Sequence, residues 1–193
     1  MKLVAVTYAL VLGAAIAWSH PWKDVTPAGF DRLKIDQHRQ LFDSSCIPSG
    51  VEMVLKLIGR VTEDYFVLQQ AWKDKKDGTF ADFDRRTVEG VTFRQRFSMR
   101  RGSKFPLKKL FAAIDAELIH GRYVLVSLSS DSGSYHIWVV VQRLSGGGYR
   151  ALSKNGRETA EIMDTRERIE AMQGTDIVTY TISQDAAATD KAQ

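Results

Sequence analysis

Residues 40–59 read QLFDSSCIPSGVEMVLKLIG, and they contain the only cysteine of the chain, Cys46. Three polar residues that can cap a helix precede it, and Pro48 falls in the first turn, where a missing N–H group is tolerated. Apolar residues then recur at the spacing of one helical face before a closing glycine: Val51, Val54, Leu55, Ile58 and Gly59. The pattern predicts a helix from about residue 45 to about residue 58, with the thiol at its N-terminus.

A thiol in this position is a candidate nucleophile. The unpaired N–H groups and the macrodipole of a helix N-terminus favour negative charge, which predicts a lowered pKa for the Cys46 thiol. A thiolate at neutral pH is a nucleophile. Two other interpretations stay open, which are a disulfide to another molecule and an inert cysteine packed as a small apolar side chain.

Length and composition indicate one soluble globular domain. The chain has 193 residues, enough for one domain with a real core, and its 44% hydrophobic and 26% charged residues are ordinary for a globular protein. The formal net charge is only +4. A balance this mild does not by itself predict binding to nucleic acid.

The first 17 residues have the pattern of a signal peptide. Lys2 gives a positive start, an apolar run extends from residue 3 to residue 16, and Ala15-Ile16-Ala17 offers a cleavage site. The run is shorter than the roughly 20 residues that span a bilayer, although an uncleaved anchor is the alternative. We therefore expect an exported protein, periplasmic or secreted, whose mature chain has no membrane span.

The rest of the chain predicts an α+β fold, with helices first and an antiparallel sheet after them. Residues 18–35 form a leading segment, residues 36–183 the domain, and residues 184–193 a small, polar tail predicted to be disordered. Further helices are predicted over residues 63–73, 106–119 and 166–172. Strands are predicted over residues 88–97, 123–128, 137–141, 149–152 and 177–182.

A thiol nucleophile needs a base that can also carry a proton, and histidine serves that purpose. His136 opens an apolar strand directly after a polar loop, so a rigid element would hold it at the edge of the sheet. His120 stands at a predicted helix C-terminus, where a cation is favoured. His20 and His38 lie in polar sequence ahead of the helix, and we expect His38 to be exposed.

Acyl transfer also needs donors for the oxyanion and a partner that orients the imidazole. The N–H group of Cys46 is one candidate donor, and the side chain of Gln40, six residues upstream, is another. Asn155 or Ser153, at the end of the strand that follows His136, is the candidate orienting residue. Asn155 also fits a second interpretation, as the turn residue of an Asn-Gly pair.

These residues resemble the papain-like cysteine peptidases, and more narrowly the C39-like bacterial group. The resemblance rests on Gln40 six residues before Cys46 at a helix start, on His136 heading an apolar strand, and on a polar residue after the next hairpin. It covers roughly residues 36–182. It implies that Gln40 serves the oxyanion hole, Cys46 is the nucleophile, His136 is the base and acid, and Asn155 orients His136.

The resemblance implies a thiol hydrolase that forms an acyl-enzyme, a cysteine peptidase with a peptide or protein as its substrate. Two sequence differences from the family stand out: Cys46 is followed by Ile-Pro-Ser-Gly, and the third position offers asparagine in place of aspartate. A cell-wall amidase of similar fold, or an inactive binding protein of this fold, is the alternative.

A run of basic residues over positions 94–109 is interpreted as a solvated face; a site for an acidic substrate or partner, and a site for nucleic acid or another anionic surface, are the alternatives. Its seven cations are Arg94, Arg96, Arg100, Arg101, Lys104, Lys108 and Lys109. No metal-ligand spacing, phosphate-binding glycine loop or cofactor motif is present, so no cofactor is predicted.

Overall fold

The computed structural model describes residues 24–75, 78–129 and 134–183, which form helices and one seven-stranded sheet. The α-helices are α1 (Arg32–Gln37), α2 (Cys46–Leu57), α3 (Val67–Ala71), α4 (Leu107–Ile119) and α5 (Thr165–Ala171). The strands are β1 (Thr87–Val88), β2 (Val91–Arg96), β3 (Val124–Ser129), β4 (Tyr135–Arg143), β5 (Tyr149–Asn155), β6 (Glu158–Ile162) and β7 (Ile177–Ile182). The predicted α+β class is confirmed.

The sheet is antiparallel, with the strand order β1-β2-β7-β3-β4-β5-β6. β4 pairs with β3 from Tyr135, opposite Ser129, to Val140. β5 joins β4 only from Val139, opposite Leu152. Within the described part of the sheet, residues 135–138 of β4 are therefore paired with β3 alone.

Helices cover both faces of the sheet. On one face, α1, α2 and α3 pack against a core that includes Ile137, Val139 and Val141 of β4. On the other face, α4 and α5 pack against a second core, which includes Val140 and half-buried Trp138. Alternate residues of a strand point to opposite faces, so β4 contributes to both cores.

Helix α2 lies unusually close to the sheet because Gly50 faces it. A Cβ atom at this position would lie 2.9 Å from Ile137 Cγ2 and 2.9 Å from Leu125 Cδ2, closer than carbon atoms pack. A 3₁₀ turn, Asp43–Ser45, leads directly into the helix. The helix therefore places its first residue, Cys46, beside the end of β4 that β5 does not cover.

Several predicted elements are confirmed with small shifts of their ends. These are the helix that begins at the cysteine, the helix from residue 107, the two apolar central strands, the helix α5 and the last strand. The predicted strand over residues 88–97 is a hairpin instead. Glu89 and Gly90, both with positive φ, form the turn between β1 and β2.

The predicted helix over residues 63–73 is wrong in its first turn, since α3 begins only at Val67. The Thr62 hydroxyl donates to the Asp64 carboxylate (2.5 Å), so it does not cap a helix there. Helix α1 is an element that the sequence analysis did not predict. Its N-cap is Asp31, whose carboxylate accepts a hydrogen bond from the Leu33 N–H (2.9 Å). Strand β6 was also not predicted.

The signal peptide predicted over residues 1–17 and the tail predicted over residues 184–193 lie outside the described residues. Within the described ranges, none of the helices has the length and apolar character needed to cross a membrane.

Candidate functional site

Cys46 is the first residue of α2, and its thiol is half-buried. Burial raises the pKa of this thiol, and the backbone N–H groups of Ile47, Cys46 and Ile137 oppose that shift without reversing it. The prediction of a lowered pKa is therefore wrong. The helix N-terminus does direct N–H groups at the sulfur, but the loss of solvation is the larger effect.

His136 is the second residue of β4, and its ring is held by a backbone group of the neighbouring strand. Nε2 lies 3.0 Å from the carbonyl oxygen of Lys154. A carbonyl only accepts hydrogen bonds, so Nε2 carries the proton and Nδ1 of the neutral ring keeps its lone pair. Burial lowers the pKa of His136, and the bond to Lys154 partly offsets this. The neutral ring is therefore the form that is available as a base.

The Lys154 carbonyl is fixed because the Lys154 side chain is anchored. This lysine is only 1% exposed. Its ammonium group donates to the Arg157 carbonyl (2.7 Å) and to the Thr159 hydroxyl (2.8 Å), across the turn between β5 and β6. The orientation of His136 thus depends on a buried lysine that bridges a hairpin.

Cys46 lies beside the strand backbone next to His136, and not beside the His136 imidazole ring. The sulfur lies near the N–H group of Ile137, on the α2 face of the sheet. Strand alternation places the His136 ring on the opposite face, with the Trp138 ring at a centroid distance of 6.2 Å and an edge-on angle of 87°. Although both side chains belong to the described residues, no hydrogen bond joins them.

Two cavities open on the two sides of this strand end. One, which we call the thiol cavity, has a volume of about 280 Å³ and is lined by Cys46, Ile47, Gly78, Thr79, Phe80, Arg101, Ser127, Tyr135, Ile137 and Asp176. The other, the imidazole cavity, has a volume of about 540 Å³ and is lined by Gln40, Asp43, Ser129, Ser134, Tyr135, His136, Trp138, Asn155, Ala160 and Arg168. Tyr135 lines both, so the cavities are neighbours at the start of β4.

Gln40, the predicted oxyanion donor, lines the imidazole cavity and not the thiol cavity, and its amide donates to backbone carbonyls. Nε2 donates to the carbonyl oxygens of Phe42 (2.9 Å) and Asp43 (3.2 Å), which fixes the 3₁₀ turn ahead of α2. Its Oε1 is buried without a hydrogen-bond partner among the described residues. In this geometry, the donors near the thiol are backbone N–H groups.

Asn155 lies in the imidazole cavity with His136, as expected from its place at the end of the neighbouring strand. The bond predicted for its side chain is made by the carbonyl group one residue earlier, that of Lys154. Ser153, the alternative, is buried, and its hydroxyl donates to the Ile137 carbonyl (2.5 Å). Ser153 therefore joins β5 to β4 where their regular pairing ends.

His38 is buried, so the prediction that it is exposed is wrong: only 1% of the residue is accessible. Nε2 lies 3.0 Å from the Ser49 carbonyl oxygen, and Nδ1 lies 3.0 Å from the ammonium nitrogen of Lys56. Burial and the Lys56 charge lower the pKa of His38 to about 3. The ring is therefore neutral, and it accepts a hydrogen bond from a buried lysine.

Glu52 completes this buried polar layer under α2. Its carboxylate accepts hydrogen bonds from the N–H groups of Leu68 (2.8 Å) and Gln69 (3.1 Å) and from the Gln69 amide (2.7 Å). This layer was not predicted from the sequence. A signal was present, since Ser49, Glu52 and Lys56 are spaced as one polar stripe on an otherwise apolar helix.

We expect Cys46 to be alkylated slowly near neutral pH. Because the thiol pKa is raised, the thiolate is scarce until the pH exceeds the ordinary pKa of a cysteine. The rate of alkylation should therefore increase about tenfold per pH unit from about pH 6 to about pH 9. The measurement is the rate of iodoacetamide modification against pH. The same chain unfolded in guanidinium chloride is the control, and its curve should lie at lower pH. A plateau near neutral pH in the folded protein would contradict the expectation.

The chain matches no family model and no curated protein. Across the residues with described positions, no group of three or more His, Cys, Asp or Glu side chains is arranged to hold a metal ion.

Proposed function

We propose that this chain is a thiol hydrolase of the papain-like type, a cysteine peptidase in which Cys46 forms an acyl-enzyme. The observation that carries the proposal is the surrounding of one thiol by three backbone N–H groups, from Cys46, Ile47 and Ile137, in a cavity next to His136. Such groups favour the thiolate that attacks and the oxyanion that follows. Export, as the signal-peptide pattern predicts, is part of the proposal.

In the proposed reaction, Nδ1 of His136 takes the proton from the Cys46 thiol. The thiolate adds to the substrate carbonyl carbon, and backbone N–H groups at the start of α2 stabilise the oxyanion. The imidazolium then gives its proton to the leaving amine as the carbon–nitrogen bond breaks. Water, deprotonated by the same ring, hydrolyses the thioester and releases the acid, which restores the thiol.

This reaction requires the His136 ring to move toward the sulfur. Within the described sheet, the backbone of residues 135–138 pairs with β3 alone, and this strand end is joined to β5 by the bonds from His136 Nε2 to the Lys154 carbonyl and from the Ser153 hydroxyl to the Ile137 carbonyl. The proposal requires the His136 bond to break. Hydrogen bonds between catalytic groups are often long or misaligned without substrate and tighten in the complex. Substrate in the thiol cavity would contact Tyr135, the residue before His136.

An inactive binding protein of the same fold is the second candidate. The observation that favours it is the resting geometry, with a protonated thiol and a neutral imidazole on opposite faces of β4. In that case the thiol cavity binds a peptide without cleaving it.

A peptide-based acyloxymethyl ketone separates the two candidates. Such a reagent modifies a thiol that is activated within a substrate site, so intact-mass analysis should show one label on the wild-type protein and none on Cys46→Ala. A plain chloroacetamide of similar reactivity is the control, and it should label far more slowly. Equal rates with both reagents, at the level of a free thiol, would refute the enzyme proposal.

A further inference from the structure

Arg101 is the one member of the basic run at positions 94–109 that lines the thiol cavity. It lies in the segment between β2 and α4. The N–H of Gly102 bonds to the Gln173 carbonyl (3.0 Å) just after α5, which fixes this segment at the cavity. The guanidinium carbon lies 4.5 Å from the centroid of the Tyr135 ring. The position of the Arg101 cation is thus set by a backbone bond and by an aromatic face.

Among the residues whose positions are described, no carboxylate forms an ion pair with Arg101. Although Asp176 lines the same cavity, no ion pair joins it to Arg101 among the residues whose positions are described, and its carboxylate accepts from the Gln95 amide (2.9 Å). No acidic residue occurs between positions 94 and 109. Of the seven cations in that run, the described ion pairs include only Arg96, which lies 3.9 Å from Glu117. Arg101 is therefore the cation of the cavity lining, and the Asp176 carboxylate in the same lining is bonded to an amide and not to Arg101.

The size and walls of the cavity fit one side chain or one chain end. A volume of about 280 Å³ lies just below the range for a whole small-molecule ligand. Ile47, Phe80 and Ile137 supply apolar walls that suit an aliphatic stem. A planar guanidinium group binds a carboxylate through two parallel hydrogen bonds. The combination is complementary to a short apolar stem that ends in a carboxylate.

We propose that Arg101 determines specificity by binding a substrate carboxylate beside Cys46, from either an acidic side chain or a free C-terminus. This inference rests on the proposed function, because it assigns the substrate class of the same site. The enzyme would accept peptides with a carboxylate near the scissile bond. The basic run around Arg101 would attract such substrates from solution.

The test measures binding to the Cys46→Ala variant, which cannot turn over. Four fluorescent peptides are compared, containing either glutamate or glutamine at the central position, each with a free or an amidated C-terminus. The glutamate peptides should bind at least about tenfold more tightly than the glutamine peptides, or the peptides with a free C-terminus more tightly than the amidated ones by the same factor, or both. This is the difference expected for a charged hydrogen-bonded pair. The pair of peptides that differ in affinity identifies the source of the carboxylate.

Arg101→Gln in the same background should remove this preference, and Arg100→Gln should keep it. Arg100 is exposed and does not line the cavity. Arg100→Gln therefore removes one positive charge, as Arg101→Gln does, without changing the cavity lining. The inference is overturned if no carboxylate preference exists, if no peptide binds, or if the preference survives Arg101→Gln. Because binding is measured without the thiol, an Arg101-dependent preference with no cleavage by the wild-type chain would refute only the enzyme proposal. Cleavage without the preference would refute only the role of Arg101.

Discussion

Replacement of His136 by glutamine should lower the rate of peptide hydrolysis at saturating substrate by about 10²–10⁴-fold. The glutamine amide can still donate to the Lys154 carbonyl, as Nε2 of the histidine does at 3.0 Å. It has no nitrogen lone pair that can accept the thiol proton, so it preserves the local structure and removes the base. The loss should appear in kcat and leave KM nearly unchanged.

The measurement is steady-state hydrolysis of a fluorogenic peptide, with the free energy of unfolding determined for each variant. His120→Gln is the matched control. His120 is exposed at the end of α4, where Nδ1 lies 2.6 Å from the Ala116 carbonyl oxygen, and its replacement should leave kcat unchanged. A His136→Gln protein that is folded and retains full activity would show that His136 is not the base.

The proposed mechanism also predicts a pH profile for peptide hydrolysis by the wild-type chain. In that mechanism His136 acts in its neutral form, and burial lowers its pKa, so the neutral form persists below the ordinary histidine value. We therefore expect kcat to decrease on acidification with a midpoint below about pH 6.5. In His136→Gln this midpoint should shift, or the decrease should disappear.

Replacement of Glu52 by alanine should lower the free energy of unfolding by about 3–5 kcal/mol. Glu52 is fully buried, and its carboxylate accepts three hydrogen bonds from Leu68 and Gln69. Alanine leaves these buried donors without a partner, and each such loss costs about 1–3 kcal/mol. The nearby Lys56 ammonium group also loses an opposite charge that raises its pKa.

Urea unfolding followed by circular dichroism gives the change for Glu52→Ala. Glu167→Ala is the matched control, because Glu167 is an exposed glutamate of helix α5. Its replacement should change the free energy of unfolding by less than about 0.5 kcal/mol. If Glu52→Ala were no more destabilising than this control, the buried layer under α2 would not be a major source of stability.

The parts of the fold that sequence predicts well are those with a strong local signal. α2 has helix-capping residues, a proline in its first turn and one apolar face, and α4 and the central strands have similarly clear patterns. α3 was predicted too long because Thr62 bonds to Asp64 at a turn. Helix α1 has six residues and only one buried residue, Ile35, so its periodicity is weak.

The geometry of the site was predicted only in part, for two physical reasons. β4 is apolar on both faces from Ile137 to Val141, so alternation along the sequence does not indicate which face His136 occupies. The group that holds the His136 ring is a backbone carbonyl, that of Lys154, and residue identity carries no signal for it. The opposing effects on the Cys46 pKa also depend on burial, which is a property of the whole fold.

The position of β7 has a consequence for how the chain folds. It is the last of the described strands in sequence, yet it lies between β2 and β3. Its Tyr180 pairs with Phe93 of β2, and its Val178 pairs with Leu125 of β3. Until it is in place, the hairpin β1–β2 has no hydrogen-bonded connection to the other four strands. Closure of the sheet therefore joins residues far apart in sequence, which slows folding, and it cannot occur before residues 177–182 have been synthesised. A nascent chain that lacks its final strand would expose two unpaired sheet edges, where chaperones or proteases act.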